Sequence, residues 1–89
     1  MMDKKHIKLT LSAAMTIELR RAYRRKGDFI KLIFEALEKP SEASWTDGPT
    51  AALYVYVDER QYDQLKTMAK EAGMSMGRVV DRHLVNFFS

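Results

Sequence analysis

Two short stretches alternate strictly between apolar and polar residues, HIKLTLS from His6 and ALYVYVD from Ala52, and both read as half-buried strands. The first places Ile7, Leu9 and Leu11 on one side, and the second places Leu53, Val55 and Val57 there. A lone strand leaves backbone donors and acceptors unpaired along both edges, so two isolated strands are best satisfied by pairing with each other. The expectation is a two-stranded antiparallel ribbon with one apolar face, against which the rest of the chain must pack.

The segments that follow the two strands match in order. After the first, Ser12 can cap a helix running from Ala13 to about Lys26, with Met15, Leu19, Ala22 and Tyr23 at helical spacing and Arg20, Arg21, Arg24 and Arg25 largely elsewhere. Gly27 is expected to stop that helix and Asp28 to cap a second, FIKLIFEALEK, before Pro40 ends it. This second helix is apolar around much of its circumference, through Phe29, Ile30, Leu32, Ile33, Phe34 and Leu37, and reads as a core helix.

A displacement of 46 residues carries Ile7, Leu9 and Leu11 onto Leu53, Val55 and Val57, Ser12 onto Asp58, Leu19 onto Leu65 and Gly27 onto Gly73. Beyond Gly73 one further residue precedes the cap Ser75, and a displacement of 47 then carries Leu32, Ile33 and Leu37 onto Val79, Val80 and Leu84. The connector EKPSEASWTDGPT is rich in turn formers and is too short to separate two independent domains. The pattern therefore predicts one domain over 1–89, mostly α with a two-stranded antiparallel ribbon, in the order β-α-α-β-α-α. The first repeat spans 6–39, the connector 40–51 and the second repeat 52–89. Four helices should cover one face of the ribbon, leaving His6, Lys8 and Thr10 with Ala52, Tyr54 and Tyr56 on the open face.

Composition narrows the functional classes. The absence of cysteine removes disulfides, thiolate metal sites and a cysteine nucleophile together. No apolar run approaches a membrane span and the start, MMDKKHIK, lacks the apolar stretch of an export signal, so a cytoplasmic protein is expected. No nucleophile–base pair, carboxylate pair or metal-ligand spacing stands out, and His6 and His83 are far apart. Neither an enzyme nor a metal, cofactor or small-molecule site is expected, and His83 reads as a packed or half-buried histidine. The formal charge of +3 is uneven: residues 1–39 hold ten Lys/Arg against five Asp/Glu, and residues 40–89 hold five against seven. A basic first half favours a polyanionic partner, although a solvated helix face gives the same count for RRAYRRK. Trp45 in the connector reads as an apolar plug over the domain.

The run ALYVYVDERQYDQLKTMAKEAGMSMGRVVDRHL resembles the ribbon-helix-helix family of the Arc and MetJ repressors, and IKLTLSAAMTIELRRAYRRKGDFIKLIFEAL is similar with a shorter turn. Two copies in one chain resemble the TraY-like tandem members of that family, in which a single chain makes the pseudo-dimer that two chains otherwise form. The resemblance implies sequence-specific binding of double-stranded DNA, with the ribbon in the major groove, in transcriptional regulation or in plasmid transfer or maintenance. It implies base contacts by His6, Lys8, Thr10, Ala52, Tyr54 and Tyr56, and phosphate contacts by helix-start amides near Phe29 and Ile30 and near Ser75, Met76 and Gly77. Asp28 departs from this scheme, since a carboxylate at the helix start repels a phosphate. Tyr54 and Tyr56 depart too, because the usual groove readers are shorter or charged. Exposed tyrosines also suit cross-strand pairing, a protein-binding face or stacking on single-stranded bases. An interaction module of the same fold and a single-stranded nucleic-acid binder therefore stand as alternatives, and neighbouring molecules could associate side by side on a duplex.

Overall fold

The computed structural model describes residues 4–22, 26–39 and 48–88, with backbone only for 26–28. Six elements follow in the order β1 (Lys5–Ser12), α1 (Ala13–Ala22), α2 (Lys26–Leu37), β2 (Thr50–Val57), α3 (Glu59–Ala72) and α4 (Met76–Phe87). The molecule is mostly helical with a two-stranded antiparallel sheet, in the expected β-α-α-β-α-α order. Tyr23, Arg24 and Arg25 of the basic run, Pro40, and Trp45 with most of the connector lie outside the described residues.

The two strands pair along their full length, from Lys5↔Val57 through Lys8↔Tyr54 to Ser12↔Thr50. The last two pairs, Leu11↔Ala51 and Ser12↔Thr50, take into β2 two residues that the sequence pattern assigned to the connector. Pairing with a partner strand decides that boundary, and the N–H of Ala13 extends the junction by donating to Pro49 O at 2.9 Å. Alternation does the rest: Ile7, Leu9, Leu11, Leu53, Val55 and Val57 turn inward and are buried, while their neighbours face out.

The helices close over this apolar face. α1 contributes Leu19; α2 contributes Phe29, Leu32, Ile33, Ala36 and Leu37; α3 contributes Leu65 and Ala69; α4 contributes Val79, Val80 and Leu84. Thr16 is also buried, and its hydroxyl is satisfied within its own helix by donating to Ala13 O at 2.7 Å. Ala22, expected on the buried side of α1, is exposed at the end of that helix. α4 packs on β1 and α2 packs on β2, so each strand is covered by a helix from the other half of the chain, and α4 also packs on α2 and α3.

Helix ends in the second half follow the sequence signals closely. Asp58 starts α3 with a capping box: its Oδ1 accepts from Gln61 N at 2.7 Å and Gln61 Oε1 accepts from Asp58 N at 3.0 Å. Gly73 ends α3 in the left-handed region at φ 68, where a side chain would be strained. Ser75 starts α4, its hydroxyl accepting from Arg78 N at 3.2 Å. The first half differs at its junction. α2 begins at Lys26, so Gly27 and Asp28 lie inside its first turn and do not separate two helices. A carboxylate one turn into a helix is favoured by the helix dipole much as a cap is, which is why both placements satisfy the same local signal.

Gly77 sets how closely α4 approaches the ribbon. A Cβ built there would lie 2.5 Å from Thr10 O and 2.7 Å from Thr10 N, and strand backbone cannot swing aside as a flexible side chain can. Alanine is the better helix former by about 1 kcal/mol, yet overpacking against backbone costs about 1–3 kcal/mol. Gly77→Ala is therefore expected to lower stability, by about 1 kcal/mol net in urea unfolding, against the sign that helix propensity alone would give.

Candidate nucleic-acid interface

The outward face of the ribbon carries His6, Lys8, Thr10, Ala52, Tyr54 and Tyr56, all exposed. Register brings them into three cross-strand pairs: His6↔Tyr56, Lys8↔Tyr54 and Thr10↔Ala52. The pairs form a gradient. At one end the His6 ring stacks on Tyr56 with centroids 4.6 Å apart and planes 25° apart, and on Tyr54 at 5.6 Å and 30°. At the other end stand the short side chains of Thr10 and Ala52. Lys8 lies in the middle pair, whereas Lys5, paired with Val57, is held on the helix side of the ribbon over the ring of Tyr62 at 4.4 Å to its centroid.

The expected phosphate anchors divide. In α4, Ser75 is exposed and Met76 half-buried at the helix start, where first-turn amides have no intrahelical acceptor and the dipole favours an anion. Gly77 is buried against Thr10, so its main part in the structure is to let the helix dock. In α2, the start at Lys26 puts Phe29 and Ile30 at the fourth and fifth helical positions, beyond the free first-turn amides, and Phe29 is buried. The structure thus corrects the expectation that their amides open the helix. Arg20 and Arg21 are exposed on α1, where Arg21 approaches Glu18 at 3.6 Å, an exposed pair that contributes little to stability.

What fixes α4 beside the ribbon is a residue that the sequence pattern passed over. Asp81 is fully buried, and its Oδ1 accepts from both the backbone N–H of Ser12 at 2.8 Å and the Ser12 hydroxyl at 2.7 Å. Ser12 Oγ in turn accepts from Met15 N at 3.3 Å, so it caps α1 as expected while tied to α4. Asp81 Oδ2 is buried with no hydrogen-bond partner among the described residues. The displacement of 47 aligns Asp81 with Phe34, and a carboxylate one turn from Gly77 and Leu84 on an otherwise apolar stripe was the available sign of a special role.

Elsewhere, His83 is half-buried, as expected, with Nδ1 buried and without a hydrogen-bond partner among the described residues. It lines an open groove of about 270 Å³ between α3 and α4, with Met68, Glu71, Ala72, Val79 and Arg82. Among the described residues, no three His, Asp or Glu side chains cluster as a metal site would need, and no helix is long and apolar enough to cross a membrane. Comparison with protein-family models, curated proteins and solved structures returned no match.

Asp81→Ala leaves the Ser12 N–H buried without an acceptor and is expected to cost roughly 2–4 kcal/mol. Asp81→Asn retains a carbonyl oxygen for both donors and removes the buried charge, so its cost should be less than half as large. Urea melts of the two variants side by side measure the difference; equal losses would show that the hydrogen bonds to Ser12 are not what Asp81 contributes.

Proposed function

We propose that the chain is a tandem ribbon-helix-helix protein that binds double-stranded DNA sequence-specifically, with its ribbon in the major groove. The observation that carries this reading is the strand register. Lys8 and Tyr54 are 46 residues apart, which is the repeat displacement, and they stand directly opposite each other in the ribbon. Equivalent residues of two antiparallel strands face each other only where a two-fold axis passes between them. A pseudo-dimer built from two copies would have such an axis, and the exchange of α2 and α4 across the strands suits that reading.

A two-stranded ribbon fits the major groove, where base edges present distinguishable donors and acceptors. The ribbon face here is open, projects Lys8 from its centre and is flanked by the start of α4, which suits a phosphate oxygen. The role that follows is regulation of transcription, or an accessory part in plasmid transfer or maintenance, carried out in the cytoplasm. Because the two strands differ, one molecule would read an asymmetric site. Single-stranded binding by stacking is less favoured, since His6 already occupies one face of each tyrosine ring. The exposed aromatic end keeps a protein partner as the second reading, because tyrosine is enriched where proteins meet.

Mobility shifts on mixed duplex fragments are expected to show binding at low salt that weakens steeply as salt rises. Lys8→Ala should weaken binding and reduce the slope of log K against log salt by about one. No shift at low salt, or a stronger shift with single strands than with duplex, would count against the DNA reading and leave the protein-partner reading in its place.

A further inference from the structure

We propose that His6, Tyr54 and Tyr56 act as one preassembled reading element, which donates hydrogen bonds to purine N7 and guanine O6 acceptors at one end of an asymmetric DNA site. The proposal rests on the DNA-binding reading above and goes beyond it by dividing the ribbon into two chemically unlike ends.

The three side chains root on the same face of the sheet, His6 directly across from Tyr56 and Tyr54 two residues along from it. The His6 ring lies within 25° of parallel to Tyr56 at 4.6 Å and within 30° of parallel to Tyr54 at 5.6 Å, and rings rooted side by side on one face stack along the sheet. From that arrangement we infer rings standing on edge, with ring faces turned toward each other and polar tips available to a groove. Tyr54 and Tyr56 retain 45% and 56% of their exposure, as a row of upright rings should. What such a slab offers a groove is two phenol hydroxyls and an imidazole, rather than flat aromatic surface.

Chemistry narrows what the tips would meet. A phenol hydroxyl and a neutral imidazole can each donate one hydrogen bond, and the strongest acceptors on the major-groove floor are N7 of either purine and O6 of guanine. The stack also lowers the cost of using them. Free tyrosines must give up rotamer freedom on binding, whereas rings already held against His6 have surrendered part of it during folding. His6 is thus a positioning residue for both hydroxyls as well as a donor itself. The opposite end bears the short side chains of Thr10 and Ala52, whose repeat equivalents are Tyr56 and His6. Positions related by the proposed two-fold axis therefore carry long aromatic donors at one end and short side chains at the other.

The test uses the full chain. Duplexes bound at low salt are selected from a random pool, and binding to an enriched duplex is compared for wild type, Tyr54→Phe, Tyr56→Phe and His6→Ala, with thermal melts confirming that each variant is folded. Phenylalanine keeps the stack and removes only the hydroxyl. Each Tyr→Phe change is expected to weaken binding by about 3- to 10-fold, the loss for one neutral hydrogen bond. On a duplex carrying 7-deazapurines at one end, or 2-aminopurine in place of guanine where O6 is the acceptor, wild type should be weakened similarly and the Phe variants should lose little more. His6→Ala should weaken the enriched duplex although both hydroxyls remain. Undiminished binding by the Phe variants would overturn the proposal while leaving the DNA reading intact. So would an equal loss on every duplex, which marks phosphate contacts, or a loss that follows thymine-to-uracil replacement and not 7-deaza replacement, which marks methyl contacts. Absence of duplex binding at low salt overturns both readings together.

Discussion

The hydrogen bonds from Ser12 to the Asp81 carboxylate join the first strand to the last helix and so tie the two halves of the chain together beneath the ribbon. The need for them can be traced to a single amide. In the second half of the chain, the amide at the strand-to-helix corner is that of Asp58, and the side chain of Gln61 satisfies it locally. In the first half the corresponding amide belongs to Ser12, and the residue corresponding to Gln61 is Met15, which has no oxygen to offer. Asp81 supplies the missing acceptor from 69 residues away. A local cap would have satisfied the backbone equally well, but it would have held nothing together. The distant acceptor satisfies the same amide and also fixes α4 across β1, at the expense of a buried carboxylate with one oxygen unpartnered.

Gly77 and Asp81 sit one turn apart on α4 and act two residues apart on β1, Gly77 by admitting the backbone of Thr10 and Asp81 by binding Ser12. Between them they set both the distance and the register of helix against strand. Because α2 covers β2 while α4 covers β1, neither half of the chain buries its own strand by itself. The apolar face of the ribbon is therefore completed only when both halves are folded together, and the outer face inherits that rigidity. Stacking among His6, Tyr54 and Tyr56 has a firm base for this reason: the backbone beneath them is pinned by Ile7, Val55 and Val57 from below.

How much of this could be read from the sequence follows the range of the interactions concerned. Strand alternation, the Asp58 box, the Gly73 stop and the Ser75 cap are set by residues within a few positions of each other, and each appears where its signal lies. The face on which Tyr54 and Tyr56 stand followed from alternation alone, but their contact with His6 required the cross-strand register. The start of β2 at Thr50 likewise depended on the partner strand, and turn-rich composition around Gly48 and Pro49 masked it. At the α1–α2 junction, Gly27 and Asp28 carry signals that suit either a break or a first helical turn, so composition could not place the boundary. Asp81 was the least visible. Hydropathy marks a carboxylate as exposed, and only a donor brought from the other end of the chain makes its burial tolerable.

The asymmetry of the Ser12–Asp81 contact also bears on why two copies would share one chain under the proposed tandem reading. In a pairing of two identical second copies, the position of Ser12 would be filled by Asp58, and Asp81 would face a second carboxylate in place of a hydroxyl and an amide already without its local acceptor. In a pairing of two first copies, Phe34 would stand where Asp81 stands, and the Ser12 amide would be buried without an acceptor. Both like-with-like arrangements carry a cost that the mixed arrangement avoids, so the contact specifies which halves belong together as well as holding them there. Once mixed pairing is assured, the two strands no longer need to match. A homodimer must place the same side chain at both ends of its ribbon, whereas this chain can place Tyr56 at one end and Thr10 at the other, and the buried junction beneath leaves the exposed face free to differ.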